Sequence, residues 1–338
     1  MIEPRITDPP KVDAGMVRAL VGSGGSATIQ FSKAVYSPEL LRRVNLLCAE
    51  FGDSLEVRFY AHYGSCFDAS ALAHLPDVRW LSVDCLTQIR NEDELGGLRS
   101  LTRLSLGVYE LDRPAFLETL SGAQLRHLTL TETARRNLDL APIAKWRELR
   151  TLYVEGHVRN IELVAGLPNL DSLTLRAMPK HQSLAFLADC AGLRSLTLVL
   201  GGRSLIEELA HPDLESLSVV RVRGLESIGS LHRFPSLRRL KIEDQLQIRC
   251  LDVSGGTGLH SLQLSNCKNL EEIRGLGNLG RLRELRVSRT KLDLDALVRR
   301  EWPPSLETLG LYSGSQKWND AARAILDSRG YRAFDHRP

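Results

Sequence analysis

Leu193-Arg194-Ser195-Leu196-Thr197-Leu198-Val199 is followed shortly by Leu214-Glu215-Ser216-Leu217-Ser218-Val219-Val220, and both stretches read L-x-x-L-x-L with Val or Ile tolerated at the ends. Outward from this pair the phrase recurs eleven times, centred on Leu81, Leu104, Leu128, Leu152, Leu173, Leu196, Leu217, Leu240, Leu262, Leu285 and Leu309. Successive centres lie 21 to 24 residues apart. A period this regular marks a repeat architecture and has to be settled before any motif is weighed. Within each phrase the apolar residues alternate, as a strand with one buried face requires. The stretch that follows carries a second apolar set, such as Leu138-Leu140-Ile143 or Leu225-Ile228-Leu231, with room for one or two helical turns. One unit cannot bury its own leucines. Units stacked ~4.8 Å apart bury one another's, and their strands form a parallel sheet along one side of a solenoid.

Composition agrees. Leucine accounts for 61 of the 338 residues against 6% aromatic, so the core is built from one medium-sized aliphatic side chain repeated in layers. The 44 Lys and Arg nearly balance 41 Asp and Glu, and a net charge of +3 does not by itself point to nucleic acid or a membrane surface. No run approaches the ~20 apolar residues that span a bilayer. Met1–Lys11 lacks the basic-then-apolar order of a signal peptide. Six scattered cysteines, with no CxxC pair, imply a reduced, cytoplasmic chain.

On these phrases the chain resembles the leucine-rich repeat family, in its short-repeat, bacterial and intracellular branch, over residues 75–312. The resemblance implies an α/β repeat solenoid: a curved array with the sheet on the concave face and short helices or extended segments on the convex face. The family places Asn or Cys five residues after each centre, where the side chain satisfies turn backbone groups. Here only Cys267 matches, with Thr133 and Thr290 as possible hydroxyl substitutes. The other positions hold residues such as Leu86, Tyr109, His157, Met178, Val222 and Gln245, which predicts irregular turns.

The ends predict caps. Residues 1–26 read as an unpacked tail and glycine-rich turn, and 27–74 as a strand–helix–strand cap. Within it Ser37 is the N-cap and Pro38 the first residue of a helix running to about Phe51. Eleven repeat units fill 75–315. Residues 316–338 form a helical cap, starting at Asn319-Asp320, with Ala321, Ala324 and Ile325 inward. One elongated domain follows, with about thirteen strands.

Chemistry is sparse. Gly22–Gly25 lacks the Lys-Ser/Thr of a phosphate loop and precedes a strand. The nearest approach to a metal or nucleophile cluster is His62, Cys66, Asp68 and His74, whose ligand types suit zinc but whose spacing is not paired as zinc sites usually are. No cofactor is implied. What the repeat supplies is a surface, because residues one before, one after and three after each centre point to the concave face. Arg58, Tyr60, Trp80, Arg103, His127 and Tyr153 gather near its N-terminal end, and Arg239, Lys241, Glu243 and Arg286 near the other. Trp, Tyr and Arg dominate binding hot spots. Six arginines, Arg79, Arg126, Arg150, Arg194, Arg238 and Arg283, stand two before their centres as a rim, interrupted by Asp171, Glu215 and Glu307. The leading expectation is a monomeric, non-enzymatic scaffold that grips another protein on the concave face, in a specific version an inhibitor or toxin-neutralising protein. The alternatives are a metal-dependent enzyme or sensor at His62, Cys66, Asp68 and His74, or nucleic-acid binding through the arginine rim.

Overall fold

The computed structural model describes residues 5–22, 25–34, 36–62, 66–111, 115–120, 122–134 and 138–332. By its contacts the chain divides into two compact units, Met1–Leu170 and Asp171–Pro338. In a repeat array each unit touches only its neighbours, so contacts do not gather the whole chain around one centre.

Asp171–Pro338 is the regular half. Its sheet contains β9 (Ser172–Arg176), β10 (Ser195–Val199), β11 (Ser216–Val220), β12 (Arg239–Glu243), β14 (Ser261–Ser265), β16 (Glu284–Ser288) and β17 (Thr308–Tyr312), paired in parallel in that order. Leu173, Leu196, Leu217, Leu240, Leu262, Leu285 and Leu309 stand side by side in register, as the repeat requires. Each of these leucines is essentially sealed from water. Burying a leucine side chain is worth ~1.5–3 kcal/mol, so the ladder accounts for much of the unit's cohesion. Two short strands, β13 (Cys250–Asp252) and β15 (Glu272–Arg274), pair with each other outside the main sheet and were not foreseen.

The turns are more regular than the residues at the family's Asn position predict. Four residues after the centre, Ala177, Leu200, Arg221, Asp244, Asn266 and Arg289 all adopt left-handed backbone, with φ between 51° and 58°. That conformation costs an ordinary L residue roughly 1–2 kcal/mol, and only Asp and Asn among these six visit it readily. Stacking therefore imposes the turn where local preference opposes it. The next residue does the family's polar work with other chemistry. Gln245, fully buried, donates from Nε2 to the carbonyls of Glu243 at 3.0 Å and Val219 at 3.4 Å. Cys267 Sγ contacts the carbonyls of Ser265 at 3.5 Å and Ile242 at 3.8 Å.

The unit ends in α3 (Leu294–Arg299) and α4 (Gln316–Ser328), the latter capped by Ser315, whose side chain accepts from Trp318 N. The expected helix phase is corrected here: Ala322 and Leu326 face inward, whereas Ala321, Ala324 and Ile325 are exposed. The helix begins at Gln316, three residues before the expected start, because Ser315 is the better cap.

Met1–Leu170 carries β1 (Arg5–Thr7), β2 (Ala27–Phe31), β3 (Leu55–Tyr60), β5 (Trp80–Arg90), β6 (Arg103–Glu110), β7 (His127–Leu130) and β8 (Thr151–Glu155), again parallel in sequence order. The short β4 (Phe67–Asp68) pairs with the far end of β5. Residues 5–21 are not a loose tail. Arg5–Thr7 pairs with Thr28–Gln30, and α1 (Ala14–Val21) is N-capped by Asp13 and buries Val17 completely. Pro9 and Pro10 precede the helix. Ser23 and Gly24 of the glycine-rich turn lie outside the described residues. The helix α2 (Pro38–Phe51) forms as expected, with Ser37 accepting from Leu40 N and with Leu40, Leu41, Val44, Leu47 and Cys48 buried. Phe31, Phe59 and Phe67 replace leucine in this cap, with ring centroids 5.4 Å apart for the first pair and 4.9 Å for the second. On the return path Trp146 lies where a side chain on Gly122 would need to be; a Cβ there would fall 2.0 Å from the indole.

Candidate functional site

The sheet face opposite the leucine core carries the predicted residues, and strand register decides which of them meet. In Met1–Leu170, Glu56, Trp80, Arg103, His127 and Thr151 form one row across β3, β5, β6, β7 and β8. Trp80, Arg103 and His127 are therefore direct neighbours, each half-buried. The Arg103 guanidinium lies over the Trp80 ring, 4.8 Å from its centroid, a cation–π arrangement. Burial pushes the His127 imidazole below its ordinary pKa; Arg103, Arg126 and Arg150 add to this and Asp53 opposes it. The neutral imidazole of His127 is thus favoured, with one ring nitrogen able to donate and the other to accept.

Arg58 and Tyr60 occupy two further rows and are engaged within the protein. Arg58 forms an ion pair with Asp84, with Nη2–Oδ1 2.8 Å and Nε–Oδ1 2.9 Å, and its guanidinium sits 4.6 Å above the Tyr60 ring. Its Nη1 also donates to Gln30 Oε1 at 3.3 Å, and Gln30 Nε2 reaches Thr7 Oγ1 at 2.8 Å. Beside them a buried carboxylate is satisfied on both oxygens: Thr28 donates to Glu56 Oε2 at 2.7 Å and Ser82 to Oε1 at 2.5 Å. These groups hold the strand ends rigid under the Trp80 row. Sequence reading missed Gln30, Glu56 and Asp84 as partners, although the 24-residue step from Val57 to Leu81 already places Glu56 beside Trp80. Tyr153 shares its row with Ser82, Ser105 and Thr129, so the Trp80 cluster and Tyr153 sit apart on the same face. Its hydroxyl donates to Glu155 Oε2 at 3.3 Å.

In Asp171–Pro338 the second group is less concentrated. Arg239 is exposed, whereas Lys241 and Glu243 on the same strand pair with each other at 2.5 Å. Arg286 lies two strands away and covers the Tyr312 ring at 5.6 Å. The charges here largely answer one another.

The metal alternative does not assemble. Among the described residues no group of three or more His, Cys, Asp and Glu side chains could hold a metal ion. His62 is sealed in the aromatic cap, its Nδ1–H donating to the Tyr60 carbonyl at 2.9 Å and its Nε2 receiving the Tyr36 hydroxyl at 3.4 Å. Asp68 caps the turn at Ala69–His74 and accepts from Ser70 N and from Asn91. Tyr63 lies outside the described residues. All six cysteines are free thiols. Burial raises Cys48 to about 12 and Cys190 and Cys267 to about 11, so these three stay protonated packing groups.

Among solved structures the chain is similar to a chain of the Toll–Spatzle complex of Drosophila, with a TM-score of 0.53 and 15% identity over 91% of this chain and 46% of that one. The repeat ladder and this likeness agree. The chain has the leucine-rich-repeat fold. Weaker likenesses reach a chain of the TLR13–ssRNA13 complex (TM-score 0.49, 15% identity, 91% of this chain and 54% of that one) and an internalin C2 of Listeria monocytogenes (0.32, 16%, 72% and 83%). The chain spans about half the length of the first two. No family model matches the sequence, and no curated protein matches it. Among the described residues, no helix of this leucine-rich-repeat fold is long and apolar enough to cross a membrane.

Proposed function

We propose that the chain is a non-enzymatic binding scaffold that grips another protein on the sheet face of Met1–Leu170. The observation that carries this reading is the Trp80–Arg103–His127 row, a large aromatic surface stacked with a cation on rigid strands and left half-exposed. Few rotamers are lost when such a surface is covered, which is what makes Trp, Tyr and Arg effective anchors. The similar solved structure is that of a Toll–Spatzle complex, and the shared fold supports a binding role of this kind here. A scaffold with no reactive centre acts by occlusion, so inhibition or neutralisation of the partner is the specific form proposed. Six free thiols, three of them buried, fit action as a monomer in the reducing cytoplasm.

The test begins with affinity capture and mass spectrometry, followed by calorimetry on variants with the captured partner. Trp80→Ala with Tyr153→Ala should cost ≥ 2 kcal/mol, roughly thirtyfold or more in affinity. Arg103→Ala should cost less than Trp80→Ala, by the ~0.5–1 kcal/mol scale of an exposed cation–π contact. Ser195→Ala with Ser218→Ala, on the hydroxyl-lined face of the other unit, should change little. Unchanged affinity for the Trp80 and Tyr153 pair would move the site off this face, and an equal loss from the serine pair would place it in Asp171–Pro338.

A further inference from the structure

We infer that the strand-start edge of the sheet face in Met1–Leu170 is a docking strip for an acidic segment of the partner protein. The inference rests on the proposed binding face and adds the chemistry of what it binds. Arg79, Arg126 and Arg150 stand two residues before the centres of their strands and are exposed, and Arg103 stands one before. Backbone bonds place these strand starts side by side: Thr102 N donates to Arg79 O at 2.8 Å, Arg126 N to Thr102 O at 2.8 Å, and Arg150 N to Arg126 O at 2.9 Å. Three strand steps put about 14 Å between the outer two, a span that a few residues of extended chain cover.

Among the described residues none of these four arginines forms an ion pair. Asp53 lies at the strip and accepts a hydrogen bond from the Thr102 hydroxyl. His127 in the middle is pushed toward its neutral form by burial first, with Arg103, Arg126 and Arg150 adding to it and Asp53 opposing. The corresponding row in Asp171–Pro338 runs Asp171, Arg194, Glu215, Arg238, His260, Arg283 and Glu307, where three acids interrupt the bases and Arg194 lies 3.8 Å from Asp213; the row beside it, Ser172, Ser195, Ser216, Arg239, Ser261, Glu284 and Thr308, holds no Trp, Tyr or Phe. Arginines without an ion pair beside a half-buried indole suit carboxylates flanking an apolar anchor, because the guanidinium fork matches a carboxylate while its face stays on the ring. A polynucleotide fits less well. Its continuous charge would cross the sheet face onto Asp84 and Glu155, and the chain's net charge is only +3.

The probe is a fluorescein-labelled dodecapeptide of Glu, Asp and Leu, titrated into the full chain by anisotropy beside its Lys-for-acid counterpart and a twelve-nucleotide single strand. The acidic peptide should bind, should weaken steeply between 50 and 300 mM NaCl, and should lose about tenfold or more with Arg126→Glu plus Arg150→Glu. Arg126→Gln plus Arg150→Gln should lose less, and Arg238→Glu plus Arg283→Glu should change little; a thermal melt of each variant certifies the fold. No binding of the acidic peptide, or equal binding by the Arg126 and Arg150 variants, overturns the inference. Tighter binding of the oligonucleotide with the same variant pattern overturns it in favour of nucleic acid. Trp80→Ala separates the two claims. If it abolishes binding while the arginine variants do not, the face binds without acid recognition and this inference fails alone. If the arginine variants abolish binding while Trp80→Ala does not, the strip recognises acids and the aromatic-anchored reading fails instead.

Discussion

The two units spend the same repeat differently. Asp171–Pro338 repeats one turn six times in succession and stacks seven centres without a slip. Met1–Leu170 keeps the ladder of Leu81, Leu104, Leu128 and Leu152 but departs elsewhere. Its β5 runs eleven residues, its register with β6 shifts between Val83 and Leu86, and the turns after Leu104 and Leu128 lack the left-handed residue. Its strand-start arginines differ in setting: Arg79 and Arg103 flank Trp80, whereas the equivalent rows of the other unit hold no Trp, Tyr or Phe and Arg194 there lies near Asp213. Regularity marks where the repeat satisfies itself, and departure marks where side chains are left for another use.

The largest test of the regular half is Leu196→Asp. Leu196 is 1% exposed and pairs with Leu173 and Leu217 on either side, so an aspartate there would be an unpaired charge in a layered core. Such burial costs several kcal/mol, and in an array the loss spreads to the neighbouring units. A fall in melting temperature of many degrees is expected. A melting temperature within a degree or two of wild type would break the account of the ladder.

That ladder was legible in the sequence because its signal is a side-chain period. The eleven repeat centres follow from L-x-x-L-x-L, and α2 follows from Ser37, Pro38 and an apolar stripe. What the period does not encode is a pairing between side chains distant in sequence. Arg58 meets Asp84 and Gln30, and Glu56 meets Thr28 and Ser82, through register that no local pattern states. The order within residues 5–21 was hidden for the opposite reason, since a short helix with one buried valine is too weak in pattern to stand out. The zinc-like residues failed as a site because His62 turns into the aromatic cap and Asp68 is used as a helix cap.

A finer test compares the same turn position in both units. Gln245 in the regular half is buried and bonds two carbonyls, one in its own strand and one in the preceding strand. Gln245→Ala leaves those acceptors in an apolar site and should cost ~1–3 kcal/mol. Tyr109 holds the equivalent position after Leu104 and is 56% exposed, so Tyr109→Ala should fall within about 0.5 kcal/mol of wild type. Chemical denaturation of both variants measures the difference. Equal costs would mean that the turn position carries no more weight in the regular half than in the irregular one.

The smallest effect expected is an acid sensitivity of the aromatic cap in Met1–Leu170. Burial holds the His62 imidazole below its ordinary 6.5, with the Tyr60 carbonyl bond and the Asp8 charge opposing. The accepting Nε2 fits the neutral ring, because a protonated one would have no lone pair for the Tyr36 hydroxyl. The folded protein therefore takes up the proton less readily than the unfolded chain. Above about pH 6.5 both states are neutral and the residue contributes no pH dependence. As pH falls below that value the unfolded state binds the proton first, so stability declines until pH passes below the folded pKa and then levels off. Each unit separating the two pKa values is worth ~1.4 kcal/mol. His127 and His260 are displaced in the same direction, so wild type alone does not isolate the cap. The comparison is the urea midpoint from pH 7.5 to 5.5 in wild type and in His62→Gln, with His127→Gln alongside. His62→Gln should begin lower, because it loses the bond to Tyr60, and fall less on acidification. Parallel curves for wild type and His62→Gln would move the acid sensitivity out of the cap and onto other histidines such as His127 and His260.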